Sequence, residues 1–341
     1  MKTIVDYLRE LVATTLRGWN RFWFAPLDVA TLAVIRICAG AMLFYTHLVW
    51  SIELEAFFGP DGLIPEEAAR TFYGDSFPYA LSYLWYVKSA AALWSIHIAA
   101  LVVLAMFTLG LFTRVTAVLS FVIAVSYANR AAGSLFGLDQ INVMLATYLM
   151  LGPCGAAYSL DRWIAARRRG GELPPAAPST AANISVRLIQ LHMCIIYFFA
   201  GLGKLQGESW WYGDALWGAA ANLEYQTVDL TWLHDMPLLT AFLTQSTAYW
   251  ELTFCVLVWP RLLRPLMILI ALMLHLSIGI CMGLMTFGLV MPIAVTSFVP
   301  PQFMRRLVEC GKQEHPAGQG GAPSKKSGTL EPPSRPTRRA S

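Results

Sequence analysis

Charged side chains are scarce in this sequence. Only 13% of its 341 residues are Asp, Glu, Lys or Arg, whereas 56% are hydrophobic. Soluble domains carry about 25% charged residues, so this composition excludes an ordinary soluble domain. The formal net charge is only +4, and the positive residues lie in short loops and in the C-terminal tail, which gives no indication of nucleic-acid binding. We therefore expect one multi-pass domain in the lipid bilayer of the cell membrane.

Closely spaced metal ligands are also lacking. The six cysteines form no Cys-x-x-Cys pair, and the six histidines show no spacing of four residues that would place two of them on one helix face. Structural zinc sites depend on such spacings, so we predict no metal site. The cysteines, most of which fall in apolar segments, are expected to pack as small hydrophobic side chains.

The hydrophobic residues are grouped into eight segments. They cover roughly residues 28–50, 91–112, 115–129, 138–152, 186–205, 245–260, 265–283 and 284–300. The third and fourth are short for spanning helices, and the last two meet near Gly283. Basic loops alternate with acidic ones along the chain, which places both termini in the cytoplasm by the positive-inside rule. The prediction is an all-α, polytopic transmembrane helical bundle of about eight spans.

Three further regions have their own composition. Residues 1–24 carry apolar side chains at helical spacing and predict an amphipathic helix at the membrane interface. The transmembrane domain then covers residues 25–304, with a proline- and arginine-rich cytoplasmic linker at 167–184. Residues 305–341 are rich in Gly, Pro, Ser, Lys and Arg and predict a disordered basic tail.

Lys204 stands at the end of the fifth apolar segment. A charge costs roughly 2.5–3.5 kcal/mol at the centre of a membrane helix and less toward its end. Two interpretations remain open: the side chain reaches the lipid headgroups, or it faces protein as a functional amine with no structural partner. Tyr197, Ala200 and Gly201 share its helix face, and small residues there allow a second helix to approach.

Other polar residues interrupt the apolar segments. Arg36 and Glu251 are each isolated charges, and we expect them to pair with one another. His275 is either a packed, hydrogen-bonded residue or a functional one. Asp139 opens the fourth segment, where it caps the helix or lines a polar vestibule. Trp210 and Trp211 follow Lys204 and are either interface anchors or the roof of a cavity for a flat apolar ligand.

Several of these stretches together resemble a known family. In chain order they are Pro26-x-Asp28-x-x-x-Leu32-Ala33-Val34-x-Arg36, Leu109-Gly110-Leu111-x-x-Arg114, Tyr197-Phe198-x-Ala200-Gly201-x-x-Lys204-Leu205, and His275 followed by Phe287, Val290 and Met291. Over roughly residues 19–300 the chain resembles the HTTM (horizontally transferred transmembrane) family. That family is similar to the membrane domain of vitamin K-dependent γ-carboxylase.

The resemblance implies a chemistry. In the carboxylase, a lysine at the position of Lys204 deprotonates reduced vitamin K, and oxygen adds to the resulting anion. The strong base that forms removes a proton from the γ-carbon of a peptide glutamate, and carbon dioxide captures the carbanion. Lys204 is thereby assigned the role of base, with His275 as a second catalytic residue and a vitamin K-type quinone as cofactor. A desolvated amine suits that role, because burial favours its neutral form.

Three departures limit the resemblance. Gly203 precedes Lys204 where the carboxylase has a second lysine, and Leu138-Asp139-Gln140 stands in place of Asn-Asn-His. The large non-membrane domain that binds the carboxylase's protein substrate has no counterpart here, so peptide carboxylation does not carry over. The remaining hypotheses are a quinol-dependent membrane enzyme, a protein that binds or transports a lipid or small molecule without catalysis, and a structural membrane component.

Overall fold

A computed structural model describes residues 2–60, 62–73, 81–171 and 173–309. Within these ranges the chain is helical, and its one β-type contact is an isolated antiparallel bridge between Leu27 and Ser179. The α-helices are α1 (Lys2–Phe24), α2 (Ala30–Trp50), α3 (Leu54–Phe58), α4 (Glu66–Tyr73), α5 (Ala90–Leu109), α6 (Thr113–Arg130), α7 (Gly137–Leu151), α8 (Leu160–Arg168), α9 (Thr180–Lys204), α10 (Glu208–Tyr212), α11 (Ala215–Ala220), α12 (Pro237–Leu257), α13 (Arg264–Cys281), α14 (Met285–Val295) and α15 (Pro301–Glu309). Short 3₁₀ turns lie at Tyr83–Tyr86, Ala132–Ser134, Thr231–Asp235 and Thr296–Phe298.

Four of these helices are long and apolar enough to cross a membrane. They are α2, α5, α9 and α13, of 21, 20, 25 and 18 residues. A fifth span arises if Met285–Phe298 and Pro301–Val308, which meet at a bend of 119°, are counted together. The other predicted segments also form helices, but α7 has only 15 residues and α14 only 11. The all-α prediction is confirmed, while the count of eight spans and the cytoplasmic termini stay predictions.

Local sequence sets the limits of these helices. The hydroxyl oxygens of Ser89, Ser159 and Ser179 accept the N–H three residues ahead and so cap α5, α8 and α9. The Ser179 cap starts α9 six residues before the expected position 186. Gly110 ends α5 at φ 73°, and Gly283 (φ 68°) makes the break between α13 and α14.

The core lies where α9 meets α12 and where α2 crosses the middle of the bundle. Gly201 permits the first contact, because a Cβ atom there would lie 2.8 Å from Cγ of Leu252. This agrees with the expectation that small residues near Lys204 let a second helix approach. On α2, Leu32, Ile35 and Ala39 are completely buried within the larger of two hydrophobic clusters.

The first and last helices of the described chain are both bonded to the bundle. The carbonyl of Phe22 in α1 accepts hydrogen bonds from Asn183 and Arg187 of α9. Arg305 of α15 forms an ion pair with Asp28, with Nε 2.7 Å from Oδ2. The region expected to be a disordered tail is therefore helical as far as residue 309, and residues 310–341 lie outside the described part of the chain.

Candidate functional site

Lys204 and Glu251 form an ion pair between α9 and α12. Nζ of Lys204 lies 2.6 Å from Oε2 of Glu251, and the two side chains are only 22% and 8% exposed. The amine therefore faces protein and not the lipid headgroups, in agreement with the second of the two interpretations. The expectation that the lysine has no structural partner is wrong, because its carboxylate partner comes from the neighbouring helix at the same depth.

The expected pair of Arg36 and Glu251 is also wrong. Arg36 is completely buried and donates from Nη1 to the carbonyl of Cys154 (3.0 Å) and from Nη2 to the carbonyl of Tyr158 (2.6 Å). Both carbonyls lie in the loop that follows α7, where backbone acceptors are left without helical partners. Gly110 passes so close that a Cβ there would lie 2.7 Å from Nη1. Arg36 thus connects α2 to the loop after α7 through two backbone carbonyls, while its Nε is buried without a hydrogen-bond partner in the described structure.

Tyr197 and His275 extend the site along α9, away from Lys204. The hydroxyl of Tyr197 lies 2.8 Å from Nε2 of His275, and both residues are buried. Lys204 acts electrostatically on His275, and Glu251 acts on Tyr197. The four side chains therefore form one electrostatically coupled group, which we call the central polar cluster.

Helix geometry explains how the sequence assembles the central polar cluster. Tyr197 and Lys204 are seven residues apart, which is two turns, so both face α12. Aromatic rings then enclose the inner end: Trp250 and Phe254 lie with centroids 5.0 and 4.4 Å from that of Tyr197. Phe287 lies 5.6 Å from the His275 ring. Polar groups enclosed by rings interact more strongly than they do in water.

The two tryptophans after Lys204 have different positions. The Trp210 ring centroid is 5.1 Å from Nζ of Lys204, within cation–π range. Gln245 holds the Trp210 backbone by a hydrogen bond of 2.6 Å to its carbonyl. Trp211 is 59% exposed, and its indole donates to the carbonyl of Leu205. Trp210 therefore covers the amine, while Trp211 faces outward.

Asp139 both caps a helix and lines a cavity. Its Oδ2 accepts the N–H of Phe136 at 3.1 Å, at the start of α7. It also borders a cavity of about 370 Å³ whose wall includes the hydrogen-bonded pair Tyr148 and His192. Phe287 stands between this region and His275, because a Cβ on Gly137 would lie 2.6 Å from its ring. Asp139 therefore lies on the other side of Phe287 from His275 and does not contact the central polar cluster.

A second buried polar group, centred on His97, is not predicted from the sequence. His97 is completely buried, with Nδ1 2.7 Å from the Tyr127 hydroxyl and Nε2 2.9 Å from Oγ of Ser51. These residues lie on three different helices or their ends, so no spacing in the sequence connects them. Among the described residues, no group of three metal-binding side chains occurs.

Buried charges inside a bundle of long apolar helices define an integral membrane protein. The sequence matches the family model of the HTTM domain over residues 24–303, and the chain therefore belongs to the HTTM family. The resemblance drawn from the motifs is confirmed. No curated protein and no solved structure matches the chain.

Proposed function

We propose that this HTTM protein binds a reduced quinone-type molecule in the membrane and removes a proton from its hydroxyl group. The buried Lys204–Glu251 ion pair, beside the Tyr197–His275 hydrogen bond, is the observation that carries the proposal. Titratable groups that are desolvated and coupled to a specific partner are concentrated at functional sites. A flat apolar ligand suits the aromatic walls, and an ionising hydroxyl suits the polar pair.

The ion pair changes the role that the resemblance assigns to Lys204. An ammonium group in contact with a carboxylate already holds its proton, so the group that accepts a proton from the ligand hydroxyl is Glu251. Lys204 then stabilises the negative charge that the ligand acquires. If a proton first passes from Lys204 to Glu251, the neutral amine is the acceptor, and the pair again takes up one proton as a unit.

His275 is the group best placed to orient such a ligand. Its Nε2 is occupied by Tyr197, while its Nδ1 is buried without a hydrogen-bond partner in the described structure. When the Tyr197 hydroxyl donates to Nε2, the ring hydrogen resides on Nδ1 and is available to a ligand oxygen. The residues present therefore fit a molecule with hydroxyl or carbonyl oxygens on a planar ring.

Equilibrium binding tests this proposal. A radiolabelled, reduced naphthoquinone with a short isoprenoid tail is titrated into the protein in lipid nanodiscs without oxygen. Lys204→Met and Glu251→Gln should each weaken binding on the order of tenfold, because the first removes the charge that stabilises the ligand anion and the second removes the group that accepts its proton. Lys88→Met is the matched control, since Lys88 pairs with Glu66 on the surface and its side chain is 67% exposed.

A further variant separates proton transfer from binding. Arginine at position 204 preserves the charge opposite Glu251 but cannot give up its proton. Lys204→Arg should therefore retain binding, and the ultraviolet absorption of the bound ligand reports how its ionisation depends on pH. An unchanged pH dependence is expected if Glu251 accepts the proton, whereas a changed one assigns that role to the neutral amine of Lys204. Wild-type affinity in both Lys204→Met and Glu251→Gln would overturn the proposal.

The alternative function is binding or transport of a lipid or small molecule without catalysis. The cavity of about 370 Å³ beside Asp139 and His192 supports it, because it is separate from the central polar cluster. Under this alternative, a bound ligand leaves chemically unchanged. Mass spectrometry of the ligand recovered after incubation with the protein discriminates between the two.

A further inference from the structure

A pocket lies at the other end of α9, far along the helix from Lys204. It has a volume of about 350 Å³ and lies between the end of α1 and the first turns of α9. Arg21 and Arg187 both line it, and no Asp or Glu is among its lining residues. Two arginines therefore border one pocket that has no carboxylate among its lining residues.

Arg187 is held in position by protein contacts that leave part of it available. Its Nε donates to the carbonyl of Phe22 (3.3 Å) and its Nη1 to Oε1 of Gln190 (2.8 Å). The guanidinium lies 4.4 Å from the centroid of the Phe22 ring. Guanidinium has five N–H donors, so several remain for a ligand. Among the described residues, Arg187 has no carboxylate partner.

Neighbouring groups increase the positive charge. Arg264 acts electrostatically on Arg187. Both arginines lie beside Trp259, because the Arg187 guanidinium lies over its ring and Nη2 of Arg264 donates a hydrogen bond of 2.7 Å to its carbonyl. The nearest acid in sequence, Asp28, is occupied by Arg305. Like charges gathered in one place attract an anion, and a guanidinium group binds phosphate oxygens through two parallel hydrogen bonds.

The apolar surroundings indicate which anion this is. Leu8, Leu11 and Leu16 of α1 are 50%, 48% and 57% exposed, on the face opposite most of the charged residues of that helix. The pocket stands at the start of α9, which is one of the candidate membrane spans. A helix with this pattern lies in the membrane interface, so the pocket opens at headgroup depth beside acyl chains.

We propose that Arg21 and Arg187 bind the phosphate of an anionic phospholipid, whose acyl chains lie along the apolar face of α1. The site fastens α1 to the bundle through the lipid, and it is independent of the proton chemistry proposed for Lys204. Each arginine contributes by charge, and roughly fivefold weaker lipid binding is expected for each one removed.

Native mass spectrometry tests the site in the full chain. The protein is reconstituted in phosphatidylcholine nanodiscs with or without phosphatidylglycerol, and the anionic lipids retained after delipidation are counted. Arg21→Gln and Arg187→Gln should each reduce retention of phosphatidylglycerol. Arg306→Gln, an exposed arginine on α15, is the matched control for charge and should retain it.

Two outcomes would overturn the proposal. Unchanged phosphatidylglycerol retention in Arg21→Gln is one, and because Arg21 is exposed, that variant does not disturb packing even if Arg187→Gln fails to fold. The other concerns a free anion as occupant. If inorganic phosphate at millimolar concentration completely displaces phosphatidylglycerol from protein in nanodiscs that contain this lipid, the site recognises phosphate alone and not a lipid.

Discussion

Glu251→Gln removes the one carboxylate that contacts Lys204 among the described residues. Breaking one partner of a buried ion pair costs about 3–5 kcal/mol. Lys204 keeps 22% of its side chain exposed and the ring of Trp210 nearby, so the low end applies, about 3 kcal/mol.

That cost is large enough to measure by thermal unfolding. In domains of 150–250 residues, 1 kcal/mol shifts the midpoint by roughly 2–4 °C, so Glu251→Gln should lower it by about 6–12 °C in detergent or nanodiscs. Lys204→Met should have a similar effect, because it leaves the carboxylate unpaired. The double variant leaves no unpaired charge, and it should cost less than the sum by about 1–3 kcal/mol.

The control pair separates burial from ion pairing as such. Lys88 and Glu66 also form an ion pair, but their side chains are 67% and 28% exposed. Surface pairs contribute about 0–1 kcal/mol, so Lys88→Met and Glu66→Gln should have small effects. Strict additivity of Lys204→Met and Glu251→Gln would refute the reasoning, since it would mean that the two groups do not interact.

Three further predictions follow from the contacts. Arg36→Met should destabilise by about 3 kcal/mol but be additive with Glu251→Gln, because the two share no partner; coupling in thermal melts would contradict this. Gly110→Ala should cost about 1–3 kcal/mol of unfolding free energy, whereas Gly170→Ala, at a similar φ of 74° with open space around it, should cost less. Although burial raises the pKa of Asp161, hydrogen bonds from Thr113 and Phe112 outweigh it and hold that pKa below its usual range. The stabilisation from Asp161 is therefore present above about pH 4 and is lost as pH falls through the lowered pKa. Urea titrations at several pH values should show this loss in the wild type and not in Asp161→Asn.

The sequence predicts which segments are helical more reliably than how they pair. Hydropathy finds α2, α5, α9 and α13 because each has a continuous apolar run. The early start of α9 escapes it, because residues 180–185 are polar enough to look like linker, and the Ser179 cap decides the boundary. Periodicity also places Gly201 on the same helix face as Lys204. The structure agrees, because Gly201 packs against Leu252 and Lys204 pairs with Glu251, both on α12.

Partners of buried charges are harder to predict, for a physical reason. Arg36 and Glu251 are both isolated in apolar helices, and opposite charge alone suggests that they pair. Depth and rotation decide otherwise: Arg36 reaches backbone carbonyls of Cys154 and Tyr158, which no side-chain pattern reveals. Glu251 is left for Lys204, at the end of the helix against which α12 packs.

The geometry also decides how much the altered residues near Asp139 matter. The resemblance to the carboxylase loses a histidine there, which would weaken any chemistry that needs it beside the lysine. Asp139 is engaged as a helix cap, and Phe287 stands between the start of α7 and His275. Trp210 instead lies beside the amine of Lys204, and Tyr197 and His275 interact electrostatically with the ion pair, so the proton chemistry proposed for Lys204 and Glu251 does not depend on the residue at position 139.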